Sequence, residues 1–145
     1  MCLNIKRNQK SEIAVEDIIC YKIVEQQLKP DFRCRKAMVG SDVYNTPYQY
    51  VEVEIGCTYE SLIEVENDFE NYESKVEAGL HSFHNKMDCT QSALGIANRY
   101  SNTQWLVKCC IPKGSKYYKG LFDESLSYAS NKIIYLEIVE QIIES

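Results

Sequence analysis

The densest run of side chains suited to gripping an anion is Pro112-Lys-Gly-Ser-Lys-Tyr-Tyr-Lys-Gly120, set in a stretch with no acidic residue between Asn98 and Asp123. Lysine ammonium groups and glycine-rich backbone can hold a phosphate, and a tyrosine ring can stack on a base. Lys113, Ser115, Lys116, Tyr117 and Lys119 are therefore the candidate ligand-binding residues. The run lacks the Gly-x-x-x-x-Gly-Lys-Ser/Thr spacing that wraps a triphosphate, so it does not imply nucleotide triphosphatase chemistry. The competing expectation is a plain connection between strands, with one tyrosine tucked inside and the lysines serving solubility.

His81 and His84 are the two histidines of the chain. On a strand their spacing sends them to opposite faces, and neither has a Cys, Asp or Glu neighbour at a ligand interval, so no metal site is expected. His81 joins the candidate ligand-binding set as an acid-base group, with no partner that would make it catalytic. The alternative is a packed, hydrogen-bonded His81 beneath the sheet and a solvated His84. Ser82 lacks the Gly-x-Ser-x-Gly context of a hydrolase nucleophile. No catalytic residue and no cofactor is assigned.

The seven cysteines, Cys2, Cys20, Cys34, Cys57, Cys89, Cys109 and Cys110, show no Cys-x-x-Cys pair. That usage fits free thiols in a reducing compartment. The basic start at Met1 to Arg7 is not followed by an apolar core of the signal-peptide kind, and no apolar run is long enough to span a bilayer. A soluble, cytoplasmic protein is expected. A net charge of -5 argues against non-specific nucleic-acid binding.

The elements that must position these residues follow from periodicity. At 145 residues the chain is expected to form a single domain, residues 1–145, with residues 1–12 loosely ordered. Strands are expected over Ile18 to Val24, Tyr50 to Ile55, Leu80 to Phe83, Trp105 to Ile111 and Ile133 to Val139, each alternating or apolar on both faces. The first should carry Lys22 on a wet outer edge, and the last should be central. Residues 25–43 read as a long excursion with a short strand near Ala37 to Val39. Asp88, with Gln91 three residues on, predicts a helix over Cys89 to Tyr100 whose apolar stripe is Ala93, Leu94, Ile96, Ala97 and Tyr100. A second short helix is expected within Tyr59 to Tyr72, from Leu62, Val65 and Phe69. The acidic block Glu60 to Glu77 reads as a solvated face or an exposed loop, or alternatively as a mimic of an acidic or nucleic-acid-like partner surface. The expected fold class is α+β: a mixed, mostly antiparallel sheet of about five strands with one principal helix on one face.

Three segments together, Gly79-x-His81-Ser82-Phe83, Val107-Lys-Cys-Cys-Ile-Pro-Lys-Gly-Ser-Lys-Tyr-Tyr-x-Gly120 and Tyr128-Ala-Ser-Asn-Lys-Ile133, resemble a family of small uncharacterised proteins of bacterial and bacteriophage genomes, over about the last 65 residues. That resemblance implies no particular activity. More distantly, the order of strand, Gly-x-His-Ser, alanine-rich helix and strand is similar to a fragment of the ADP-ribosyltransferase-like fold. It would imply a nucleotide-acting enzyme with Glu137 or Glu140 as the catalytic acid, whereas Tyr21-Lys22 stands where that family needs Arg or His. The functional expectation is a non-enzymatic binding module, plausibly encoded by a phage or mobile element, that captures a small nucleotide-like anion or a host protein. The nucleotide-acting enzyme is the alternative.

Overall fold

In the computed structural model the structure describes residues 3–30, 38–46, 51–68, 73–97 and 103–142. Their strands are β1 (Leu3–Lys6), β2 (Glu12–Ile13), β3 (Ile18–Pro30), β4 (Met38–Asn45), β5 (Glu52–Val53), β6 (Thr58–Glu60), β7 (Glu64–Asp68), β8 (Glu73–Ala78), β9 (Leu80–Phe83), β10 (Thr103–Ile111), β11 (Lys116–Phe122), β12 (Ser125–Ser130) and β13 (Lys132–Ile142), with one helix, α1 (Lys86–Ala97). All belong to one sheet in the order β6-β13-β10-β3-β9-β12-β11-β1-β8-β7, while β2 pairs with β11, β4 with β3, and β5 with β4. The sheet curls into a half-barrel.

This overturns the expected α+β class: the described residues are mostly β, and the one short helix among them is an accessory. The reason lies in segments whose strand character is hidden by polar or small residues. Lys116 to Ser130 forms a hairpin whose two-residue turn, Asp123-Glu124, has both residues at positive φ (48° and 66°). A right-handed hairpin wants that conformation, but it usually announces itself with Asn-Gly or Asp-Gly. The helix expected in Tyr59 to Tyr72 is replaced by β6 and β7, because Val65 and its neighbours pair with β8 as an antiparallel ladder. Its residues 69–72, like Tyr50 of the expected Tyr50 to Ile55 strand, lie outside the described residues. Glu64, Glu66, Glu73 and Glu77 are exposed on the β7–β8 hairpin, as a solvated face would have them.

The described residues of the basic start include a paired strand. Leu3 is fully buried and Ile5 nearly so, and β1 lies between β11 and β8, with Leu3 opposite Val76 and Asn4 opposite Leu121. The basic residues that suggested disorder flank a two-residue apolar alternation that suffices for an inner strand. The excursion after Val24 is instead the continuation of β3 to Pro30 and its return as β4.

The helix begins three residues earlier than its expected start. Asn85 is the cap: its Oδ1 accepts the Asp88 N–H at 2.9 Å and its Nδ2 donates to the Asp88 carboxylate at 2.9 Å. Asp88 is therefore the reciprocal partner rather than the cap. Cys89 on this helix is buried against Ile23, Phe83 and Leu106. The side chains of the expected stripe from Ala93 onward lie outside the described set.

Curling produces three apolar clusters. The largest joins Cys20, Val24, Val53, Val107, Cys109, Ile133 and Tyr135. The second lies under the helix, and the third, Leu3, Ile5, Val76 and Ala129, fills the end where β1 and β8 fold over β12. In β13, Ile133 and Tyr135 face the first cluster, yet Ile138 joins them while Val139 and Ile142 reach the second. Register shifts opposite Leu106/Val107 and Lys108/Cys109 account for this change of phase.

Candidate functional site

β3 stays paired with β10 along the whole run from Ile18 to Gln26, but it meets β9 at one register pair, Tyr21 opposite Phe83. The two strands part on the far side of that pair. A partly open cavity of about 250 Å³ lies there, lined by Lys22 and Ile23 from β3, Leu80, His81 and Phe83 from β9, Val53 from β5, Tyr59 and Glu60 from β6, Ser92 from α1, and Tyr135. Thr46 and Val51 complete one wall and hold each other by two hydrogen bonds, Thr46 N–H to the Val51 carbonyl (2.9 Å) and Val51 N–H to Thr46 Oγ1 (3.1 Å). Tyr59 packs edge-on against Tyr135, ring centroids 5.3 Å apart, and its hydroxyl accepts the Glu54 N–H at 2.7 Å.

Lys22 is the unexpected member. Alternation puts it on the same face as Cys20 and Val24, both fully buried, so it points inward and not to a wet edge. Its Nζ donates to the His81 main-chain carbonyl at 2.5 Å. The stem borders the cavity and is only half-buried, but the amine lies deep enough that desolvation lowers its pKa from the ordinary 10.5; the Cys109, Cys20 and Cys89 thiols oppose that shift. Glu60, the carboxylate of the cavity lining, is paired with Lys132 at 3.1 Å.

His81 is buried, its Nδ1 3.1 Å from the Gly79 carbonyl and its Nε2 3.3 Å from the Val76 carbonyl. The ring thus spans the seam between β8 and β9, where Gly79, at φ 146°, redirects the chain. Both carbonyls would be satisfied by an imidazolium, yet burial first, and Lys22 second, push the His81 pKa down to about 4. The neutral ring has one N–H to give to two acceptors.

Below Lys22, Cys20 lies directly opposite Cys109 across the β3–β10 ladder. Burial raises the Cys20 thiol to about 11 despite the Ser82 hydroxyl beside it, and burial raises Cys109 and Cys89 as well. These thiols are inert packing groups at neutral pH.

The basic, tyrosine-bearing run falls elsewhere. Lys113 is exposed in the β10–β11 turn, with its N–H donating to Asp17 Oδ1 at 2.8 Å. Ser115 is buried by main-chain bonds that hold that turn: its carbonyl accepts from Ala14 at 2.8 Å and its N–H donates to Pro112 at 3.0 Å. Lys116 and Lys119 are exposed on β11, and Tyr117 is half-buried against Tyr128, centroids 6.0 Å apart. His81 is brought to the cavity and the other five candidates are not. Glu137 and Glu140 are exposed on β13, away from the cavity lining. His84, also exposed, is not bare: its Nδ1 is 2.7 Å from the Tyr128 hydroxyl.

Sequence reading missed Lys22, Thr46, Tyr59 and Tyr135. One signal was present: in Ile-Ile-Cys-Tyr-Lys-Ile-Val, apolar on both faces, Lys22 is the single charge. Among the described residues no helix is long and apolar enough to cross a membrane. Comparison with protein families, with curated proteins and with solved structures returned no match.

Proposed function

We propose that the protein is a binding module for a small molecule with an apolar body and one acidic head, seated in the cavity between β3 and β9 with the head at Lys22. The observation that carries this reading is Lys22, its amine desolvated and its side chain in the lining of a cavity whose walls are largely Ile23, Val53, Leu80, Phe83 and Tyr135. A carboxylate bound beside the amine favours its charged form, and the resulting ion pair, inside a low-dielectric pocket, offsets the desolvation that lowers the Lys22 pKa. The cavity's size favours a ligand of a nucleobase's dimensions or smaller. Five described cysteines are free thiols, which fits work in a reducing cytoplasm.

The test is calorimetric titration with benzoate and hexanoate at neutral pH. Saturable binding that is lost in Lys22→Met and retained in Lys113→Ala supports the cavity. Binding lost in Lys113→Ala or Lys116→Ala and retained in Lys22→Met would return the site to the β10–β11 turn and β11, where the exposed lysines beside Tyr117 are the second reading.

A further inference from the structure

The cavity also has the parts of a covalent carbonyl trap. Lys22 Nζ gives a hydrogen to the His81 carbonyl, which fixes the direction of the amine. Among the described residues of the lining, Glu60 is the carboxylate, and it is paired with Lys132. Among the described residues, the ionisable groups whose electrostatics couple to it are His81, neutral at physiological pH, and the thiols of Cys20, Cys89 and Cys109, which burial keeps protonated. Lys22 is itself part of the lining, together with His81, whose carbonyl takes its hydrogen bond.

We infer that Lys22 captures small apolar aldehydes as a reversible imine within this cavity. The inference rests on the reading that the cavity admits a small apolar ligand to Lys22. In the reaction the Nζ lone pair attacks the carbonyl carbon, forming the C–N bond, and the carbonyl oxygen takes up the proton released from nitrogen. The nitrogen lone pair then forms the C=N bond as the C–O bond of that carbinolamine breaks, and the second proton of the original amine passes to the departing oxygen, which leaves as water. No oxidant or reductant takes part. Walls formed by Val53, Leu80 and Tyr135 hold the alkyl group and limit the water that would hydrolyse the imine. An exposed lysine such as Lys113 has no such wall.

The experiment treats the full chain at pH 7 with butanal and sodium cyanoborohydride, which reduces the imine and fixes the butyl group on nitrogen. Peptide mapping then compares lysines. Lys22 is expected to be modified at least tenfold faster than Lys113 or Lys116 while the protein is folded, and to fall to their rate in urea. Lys22→Arg, and independently Lys22→Met, should remove the fast single addition seen in the intact mass. Equal labelling of Lys22 and Lys113 in the folded protein overturns the imine. If benzoate binding persists under those conditions, the non-covalent reading of the cavity stands without it. Conversely, fast Lys22 labelling without any carboxylate binding supports the imine and rejects the acidic-head reading. A fast addition that survives in both Lys22 variants would also overturn the assignment.

Discussion

The amine of Lys22 on β3 and the main-chain oxygen of His81 on β9 meet at 2.5 Å, just where these two strands cease to form a ladder. A side chain thus bridges a gap that the backbone does not close. Holding a desolvated amine there costs stability, and methionine has nearly the same reach without it. Lys22→Met is expected to stabilise the fold by about 1 kcal/mol, a Tm increase of a few degrees, while weakening benzoate binding tenfold or more. Thermal melts paired with calorimetry check both. A variant that melts lower and binds as before would make Lys22 a structural strut.

Acid should loosen the β8–β9 seam. His81 takes a proton near its ordinary 6.5 in the unfolded chain but only near 4 in the fold. Between those values the unfolded chain binds more protons, so stability falls as pH drops from 6.5 to 4 and this contribution is spent below 4. The full loss is about 3 kcal/mol. Urea titrations of the wild type and of His81→Gln across that range are the check; the variant should show the shallower dependence.

Gly120 is required by close approach. A Cβ there would run into the Asn4 carbonyl oxygen and sit 2.9 Å from Ile5 Cγ2, both on the neighbouring β1. Backbone cannot step aside as a flexible side chain does, so Gly120→Ala should cost about 3 kcal/mol and lower Tm by roughly 8 °C. A melting curve matching wild type would refute the β1–β11 packing.

Thiol labelling should divide the cysteines by burial. Iodoacetamide at pH 8 is expected to reach the half-buried Cys57 well before Cys20, Cys89 and Cys109, which should react only after denaturant is added. Mass mapping of alkylated peptides reads this directly. Native labelling of Cys20 at the rate of Cys57 would contradict the closed core beneath Lys22.

Strands with a strong apolar alternation were legible from sequence: β9 falls over Leu80 to Phe83 as expected, and β10 and β13 contain Trp105 to Ile111 and Ile133 to Val139. β11, β12 and β1 were not, because Gly120, the serines of β12, and Asn4 and Lys6 on either side of Ile5 carry little strand propensity; β1 is placed by β11, distant in sequence, and β12 by β9 as well as by its hairpin with β11. Tyr117 and Tyr118 leave β11 on opposite faces, as alternation requires. The expectation that one of them would stay free fails, since curling supplies a cluster on each side: Tyr117 packs on the first and Tyr118 on the third. For the site, His81 was legible as a packed, hydrogen-bonded histidine. The cavity was not, since its walls come from β3, β5, β6, β9, β13 and α1, and only the curl brings them together.

β1 has a consequence for how the chain reaches this state. It precedes the other described strands, yet one of its neighbours, β11, comes late among them, and Asn4 must find Leu121 far later in the chain. Contacts of such long sequence separation form late, after the entropy of closing the loop has been met. Until then β8 and β11 present a strand-wide slot with unpaired edges. The connection after β1 turns at Asn8, whose φ is 62°, and an opened turn there would let the β1 of one molecule fill the slot of another. Refolding at high concentration would therefore yield strand-exchanged dimers with the same ladder contacts as the monomer, and dilution during refolding would select the self-closed form.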